Sequence, residues 1–214
     1  MGLRVELRET GIGISVNELR TPRQSRGVSR RDRILDAAAE LICSAGPDAV
    51  SMQSVAQKAG ASTGSMYHFF ADRDQLLLGL AVRHTDALSK LLQRTFSAKD
   101  AYWQGLSAGG VIETLFGRFI AYYAIRRDAL ATIKLAQRER VEQFEHLVDR
   151  VMRLRLGNER GPQAARVLFA ISTGTLHFMH DASGEDIERI CAGLPDVLTA
   201  YLISLEAGQT SQVG

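Results

Sequence analysis

Between Ser62 and Arg73 the chain places hydroxyls, a phenol, an imidazole and a guanidinium at spacings that suit nucleic-acid contact. Ser62, Thr63, Gly64 and Ser65 would open a short helix, and Tyr67 and His68 would follow on its polar side. Small side chains at a helix head let the backbone approach a phosphate closely, and its free amides favour the negative charge. Hydroxyl, phenol and imidazole groups all hydrogen-bond phosphate oxygens. Thr63 and Ser65 can also reach base edges, where the pairing code for short hydroxyls is permissive. Arg73, in the first turn of the next helix, would hold a phosphate from outside the groove. The pattern alone also allows Tyr67 and His68 to be a half-buried helix end.

These groups need elements to carry them. Ile34, Leu35, Ala38, Leu41, Ile42 and Ala45 recur at helical spacing and predict a first helix with one apolar face. Gly46-Pro47 stops it, because proline disfavours helix at the residue before it. Ser51 is suited to cap a second helix over 52–59, burying Met52, Val55, Ala56 and Ala59. Gly60 supplies the positive backbone angle for a sharp exit. The third helix then runs from the Ser62 cap to about Phe69, with Met66 and Phe69 or Phe70 turned inward. Three short helices with a tight turn before a polar last helix form the helix-turn-helix layout, which sets a helix in the DNA major groove.

The same stretch resembles the DNA-binding domain of the tetracycline-repressor (TetR/AcrR) family of bacterial transcriptional regulators. The residues that carry the likeness are Arg33-Ile34-Leu35, Ala37-Ala38, Leu41, Gly46, Ala49, Ser51, Val55-Ala56, Ala59-Gly60, Ser62, Gly64, Tyr67, His68-Phe69-Phe70 and Leu76. The resemblance implies that the third helix is the recognition helix, with Thr63, Gly64 and Ser65 against the bases. It also implies that Ser51, Gln53, Tyr67 and His68 grip phosphates. Arg73 stands where the family usually has lysine; arginine keeps the charge and adds a planar fork. Thr63 replaces a common lysine.

Composition sets outer bounds. With 214 residues, 45% hydrophobic and 23% charged, the chain is an ordinary globular sequence. No continuous apolar run approaches a membrane span, and no apolar signal core is seen at the start, so a cytoplasmic protein is expected. Cys43 and Cys191 both fall on apolar stripes and are expected as buried small hydrophobes. No metal-ligand spacing is present, so no metal or cofactor is expected. A net charge of +2 does not by itself point to nucleic acid. The local crowding of Arg20, Arg23, Arg26, Arg30, Arg31 and Arg33 does, as a DNA-contacting arm, the alternative being a solvated leader with no such role.

Beyond residue 71 the periodicity predicts helices only. One spans about 72–96, a second carries the stripe Val111–Tyr123, and a short one covers about 128–137. Another carries Val141, Phe144, Val148, Val151 and Met152 before a break at Gly161-Pro162. The helix over 163–180 is apolar nearly all round, and Ile187 to Leu205 stripes the last one. A helix apolar on every side must be covered on every side, which calls for a second subunit. The family resemblance implies the same, a homodimer through the last two helices, about 163–206. Pro195 is expected to kink or restart the final helix.

The expected architecture is all-α. A flexible Arg-rich extension (1–28) precedes a helix-turn-helix domain (29–75) and a C-terminal helical ligand-binding and dimerisation bundle (76–210). The resemblance implies a small-molecule effector within that bundle. Candidate ligand residues are His84, Trp103, Phe116, Phe119, Tyr123, Phe144, Phe169, Thr173 and His177, each of which could equally be plain packing. The leading reading is a dimeric, non-enzymatic regulator of double-stranded DNA, released from a palindromic operator by a largely apolar effector. The alternative is a DNA-binding interaction protein that acts without one. No nucleophile elbow, phosphate loop or acid/base pair supports an enzyme.

Overall fold

Ser29, Ser51, Ser62 and Asp72 each sit in extended backbone at the head of a helix and accept an amide hydrogen bond from three residues on. The donors are Asp32 (3.1 Å), Ser54 (3.0 Å), Ser65 (3.3 Å) and Gln75 (2.8 Å). Each cap satisfies an amide the helix cannot, for about 1 kcal/mol. They start α1 (Arg30–Ala45), α2 (Met52–Ala59), α3 (Thr63–Phe69) and α4 (Arg73–Leu91). Gly46 at φ 82° and Gly60 at φ 62° close α1 and α2 with backbone that a side chain would resist.

The computed structural model describes residues 29–135, 138–180 and 182–210. The Arg20, Arg23 and Arg26 part of the expected arm lies outside them. Downstream come α5 (Gln93–Phe96), α6 (Asp100–Gly105), α7 (Ala108–Ile112) and α8 (Arg118–Ile125). They are followed by α9 (Arg127–Thr132), α10 (Arg138–Met179) and α11 (Gly184–Thr210). A π-helical turn, Glu113–Gly117, joins α7 to α8. No strand occurs among the described residues, so the all-α expectation holds.

Three apolar cores result. The first is the N-terminal head, where Ile34, Leu35, Val55 and Met66 are fully buried. Leu76, Leu77 and Leu80 of α4 belong to that core too, so a boundary drawn at 75/76 would pass through it. The second core joins Trp103, Phe116, Val148, Met152, Leu168, Leu198 and Leu202 in the C-terminal bundle. The third lies between the two, built from Leu88, Tyr122, Leu130, Leu176 and Ile187. Its helix α9 packs against both α1 and α4.

Several local expectations are corrected. The helix predicted over 72–96 is interrupted at Leu92, which has φ −90° and ψ 1°. The break expected at Gly161-Pro162 lies at Gly157 instead, with φ 79° and ψ 175°. Gly161 has a different duty: a Cβ there would come within 2.7 Å of the Arg153 backbone, so the two arms of α10 touch at a bare glycine. Pro195 does not restart the last helix, which runs unbroken from Gly184 to Thr210. Cys43 is exposed rather than buried, being one position past buried Ile42. Cys191 is half-buried, and burial pushes its thiol up to about 11. Against the expectation that no apolar stretch approaches a membrane span, Gly184–Gly208 is long and apolar enough to cross one, with a mean hydropathy of 1.4 and 22% of its most apolar stretch buried within the chain.

Candidate nucleic-acid interface

The head presents one polar face. Met66 of α3 is fully buried and Phe70 nearly so, which fixes the helix by its apolar side. The opposite side is left to solvent: Thr63, Gly64 and His68 are exposed, Tyr67 is 55% exposed, and Ser65 is half-buried. Nothing lies within 4 Å of where a Gly64 Cβ would be, so within the chain the glycine is not needed for packing. Its use is therefore to be sought outside the chain, where a bare backbone can approach a groove.

Ser51 and Gln53 stand exposed at the start of α2. Ser51 and Ser54 cap each other reciprocally, each backbone amide donating to the other's hydroxyl at 2.9 and 3.0 Å. Ser62 is exposed as well and holds the Ser65 amide. Arg73 is more committed than its sequence context suggested. Its Nε donates to the Val50 carbonyl (2.8 Å) and its Nη2 to the Pro47 carbonyl (3.0 Å). The guanidinium thus ties the start of α4 to the segment before α2, and any phosphate must be met by the N–H groups that remain.

The ligand candidates divide into groups. Phe116, Phe119, Tyr123, Phe144 and Phe169 do come together. Phe144 stacks on Phe119 at 5.3 Å, meets Phe116 edge-on at 5.6 Å and lies 6.3 Å from Phe169. Phe119 meets Tyr123 at 5.1 Å. Trp103 is fully buried in the same bundle core, and its indole Nε1 has no hydrogen-bond partner. Thr173 and His177 are not part of this set. Thr173 donates to the Phe169 carbonyl at 2.8 Å, and exposed His177 reaches back with Nδ1 to the Thr173 carbonyl at 2.8 Å. Thr173 is half-buried one turn after Phe169, with its hydroxyl spent on the helix backbone, and one turn further on His177 stands in solvent.

His84 is not a free polar anchor. It is buried, with Nδ1 2.7 Å from the Tyr122 hydroxyl and Nε2 3.0 Å from Asp128 Oδ2. Arg126 forks onto the same carboxylate through Nε (2.9 Å) and Nη2 (2.6 Å). Burial pushes the Asp128 carboxyl up, but the two hydrogen bonds from Arg126 and the neighbouring His84 imidazole outweigh it and hold the group well below the usual carboxylate range. Burial also lowers the His84 imidazole, against the pull of Asp128, so the ring is neutral near pH 7. Burial pushes the Tyr122 phenol up to about 12. The sequence reading found His84 but missed Tyr122, Arg126 and Asp128. The available signal was the Arg126-x-Asp128 pair at the start of a short helix. It could not be joined to a histidine more than forty residues earlier without the fold.

The family model described as bacterial regulatory proteins, tetR family, matches residues 34–80. That span takes in α1 from Ile34 onward, α2, α3 and the part of α4 that completes the head core. No curated protein matches the chain. Solved structures do. A TetR-family transcriptional regulator from Streptomyces coelicolor is 24% identical, with 83% of this chain and 99% of that one aligned at a TM-score of 0.56. A transcriptional regulator from a Rhodococcus species is 17% identical, aligning 84% of this chain and 97% of that one at 0.59. The regulator PfmR from Thermus thermophilus is 17% identical, aligning 78% and 96% at 0.54. These likenesses establish a shared fold over both the head and the bundle.

Proposed function

The chain belongs to the tetR family of bacterial regulatory proteins, and from that premise we propose a homodimeric repressor that a small, largely apolar effector releases from a palindromic operator. It is a DNA-binding transcriptional regulator. The observation that carries the DNA reading is α3, pinned by buried Met66 while Thr63, Gly64, Tyr67 and His68 stand free. In this reading Thr63, Gly64 and Ser65 face the bases, and Ser51, Gln53, Ser62, Tyr67, His68 and Arg73 hold the backbone. The regulator is cytoplasmic and has no catalytic activity.

The dimer is supported by apolar surface without cover. Phe178 is 71% exposed, Val197 55% and Ile203 52%, all on α10 and α11. These large apolar side chains lie on two neighbouring helices, and pairing α10 and α11 with those of a second copy would remove them from water. To read a two-fold site, such a dimer has to hold its two recognition helices about 34 Å apart, one helical turn of DNA. The effector is supported by the orphaned Trp103 N–H in the bundle core, which an oxygen-bearing apolar molecule would satisfy. Release follows if the effector favours the protomer arrangement whose recognition helices are wrongly spaced.

One observation favours the alternative, a DNA-binding interaction protein without an effector: the aromatic rings pack on one another, and both nitrogens of His84 face protein partners. Selection of bound duplexes from random DNA with full-length protein tests the common part of both readings, and one palindromic site is expected. Titrating a panel of apolar small molecules into that complex separates them. Release by at least one supports the repressor with an effector, and release by none favours the interaction protein. Failure to enrich any site would refute the proposal at its root.

A further inference from the structure

Most arginines of the described chain are already engaged. Arg31 lies over the Phe70 ring, 5.2 Å from its centroid. Arg73 holds two carbonyls, Arg83 holds Asp36 and the Leu35 carbonyl, and Arg155 holds Glu206. Arg30 and Arg33 are among those that are not. Both are exposed, they lie one turn apart on α1, and neither side chain meets a hydrogen-bond or ion-pair partner among the described residues. Asp32, the carboxylate between them in sequence, is turned to the Ser29 hydroxyl at 2.7 Å.

The two arginines open onto a cleft of about 50 Å³ whose other walls are Ile34, Ala59, Gly60 and Ala61. Those last three residues form the turn between α2 and α3, and the next residue, Ser62, is the cap of the recognition helix. No carboxylate lines the cleft. Two guanidinium groups facing one concavity repel each other unless an anion joins them.

A helix about 10–12 Å across fills a major groove about 12 Å wide. Whatever flanks its leading end must therefore stand against the sugar–phosphate strand rather than the bases. We infer that Arg30 and Arg33 form a phosphate clamp beside the recognition helix, each neutralising one backbone phosphate at the groove edge of every half-site. The clamp positions α3 and reads no base. This inference rests on the DNA-binding reading above.

The test uses full-length protein and the duplex that the wild type selects, with affinity measured by fluorescence anisotropy over a range of KCl concentrations. Each phosphate contact contributes about 0.9 to the slope of log affinity against log salt. With two half-sites, Arg30→Gln and Arg33→Gln should each flatten the slope by about 1.8, and the double variant by about 3.6. The ranking of operator sequences should not change, since phosphate contacts carry no sequence information. Arg30→Lys with Arg33→Lys, which keeps both charges, should restore most of the slope. Melting temperatures should be unchanged, because neither side chain is engaged within the fold.

An unchanged slope in the double glutamine variant overturns the clamp. So does a changed preference at the bases flanking the half-site, which would mean the arginines read a groove. If the wild type enriches no duplex at all, the DNA reading has failed, and that outcome is distinct from either.

Discussion

Replacing Asp128 with asparagine probes the buried cluster at the junction of head and bundle. The carboxylate is 1% exposed and receives Arg126 through two hydrogen bonds, with His84 Nε2 at 3.0 Å. Asparagine keeps the shape but removes the charge. Whichever way its amide turns, an NH2 group faces donors of Arg126 or His84, so at least one pairing is lost. Breaking one partner of a buried ion pair costs about 3–5 kcal/mol. The Arg126 side chain is 18% exposed and can recover some hydration, which places the cost near the lower end, about 3 kcal/mol. For a chain of this size each kcal/mol moves Tm by roughly 2–4 °C, so a fall of roughly 6–12 °C at pH 7 is expected.

The pH dependence makes the test sharper. His84 has a lowered folded pKa, so its contribution is complete above its unfolded value of about 6.5 and declines as pH falls below it. Asp128 opposes that lowering, and without its charge the histidine is harder to protonate in the fold. The deficit of the asparagine variant should therefore widen between pH 7 and pH 5. The carboxylate itself, held low in the fold, contributes fully above its unfolded value of about 3.9. That contribution fades as pH falls through the folded pKa, so the deficit should narrow below about pH 4. Thermal unfolding followed by circular dichroism across pH 3.5–7.5 measures both trends. A Tm within about 3 °C of wild type at pH 7, or a deficit flat with pH, would refute the assignment of Asp128 as the anchor of this cluster.

Three further substitutions test other parts of the account. Gly64→Ala adds a methyl group that meets nothing in the chain, so the melting temperature should hold or rise, alanine being the better helix former by up to about 1 kcal/mol. Operator affinity should nonetheless fall at least tenfold by anisotropy, and unchanged affinity would show that the backbone does not approach the groove there. Gly157→Ala forces a side chain into backbone at φ 79° and ψ 175°, at a cost of about 1–3 kcal/mol, read as a lower urea midpoint. Ile203→Arg, at an exposed apolar position of α11, should yield monomers by analytical ultracentrifugation and weaken binding to a two-half-site duplex far more than to a single half-site.

The head was the most legible part of the sequence because its signals are local. The Ser51 cap and Gly60 exit bound α2 at Met52–Ala59 as expected, and Ser62 bounds α3. Capping and positive φ depend on a few adjacent residues, so no tertiary knowledge is needed. The bundle was legible in its stripes and less so in its breaks. Gly161-Pro162 carried the stronger sequence punctuation, yet the chain turns at Gly157, because the reversal is set by where the two arms of α10 pack. Cys43 was misplaced for a related reason: an apolar stripe drawn one residue too wide takes in a neighbour that the helix turns outward. The site residues followed the same division. Thr63, Gly64, Tyr67 and His68 could be placed outward from one buried methionine. His84 could not be separated from a ligand anchor until Tyr122 and Asp128, from two other helices, were found beside it.

The position of α4 bears on how regulators of this construction can be recombined. Leu76, Leu77 and Leu80 close the head core, Arg83 pairs with Asp36 of α1, and Leu88 on the same helix enters the junction core. One rod is thus shared, its first turns owned by the reader and its later turns by the bundle. A graft that transplants this head onto another bundle at residue 75 would carry an open core. A seam just beyond Arg83 would move the leucines and the α1 ion pair together, leaving the register of His84 against Asp128 as the fit the new host has to reproduce.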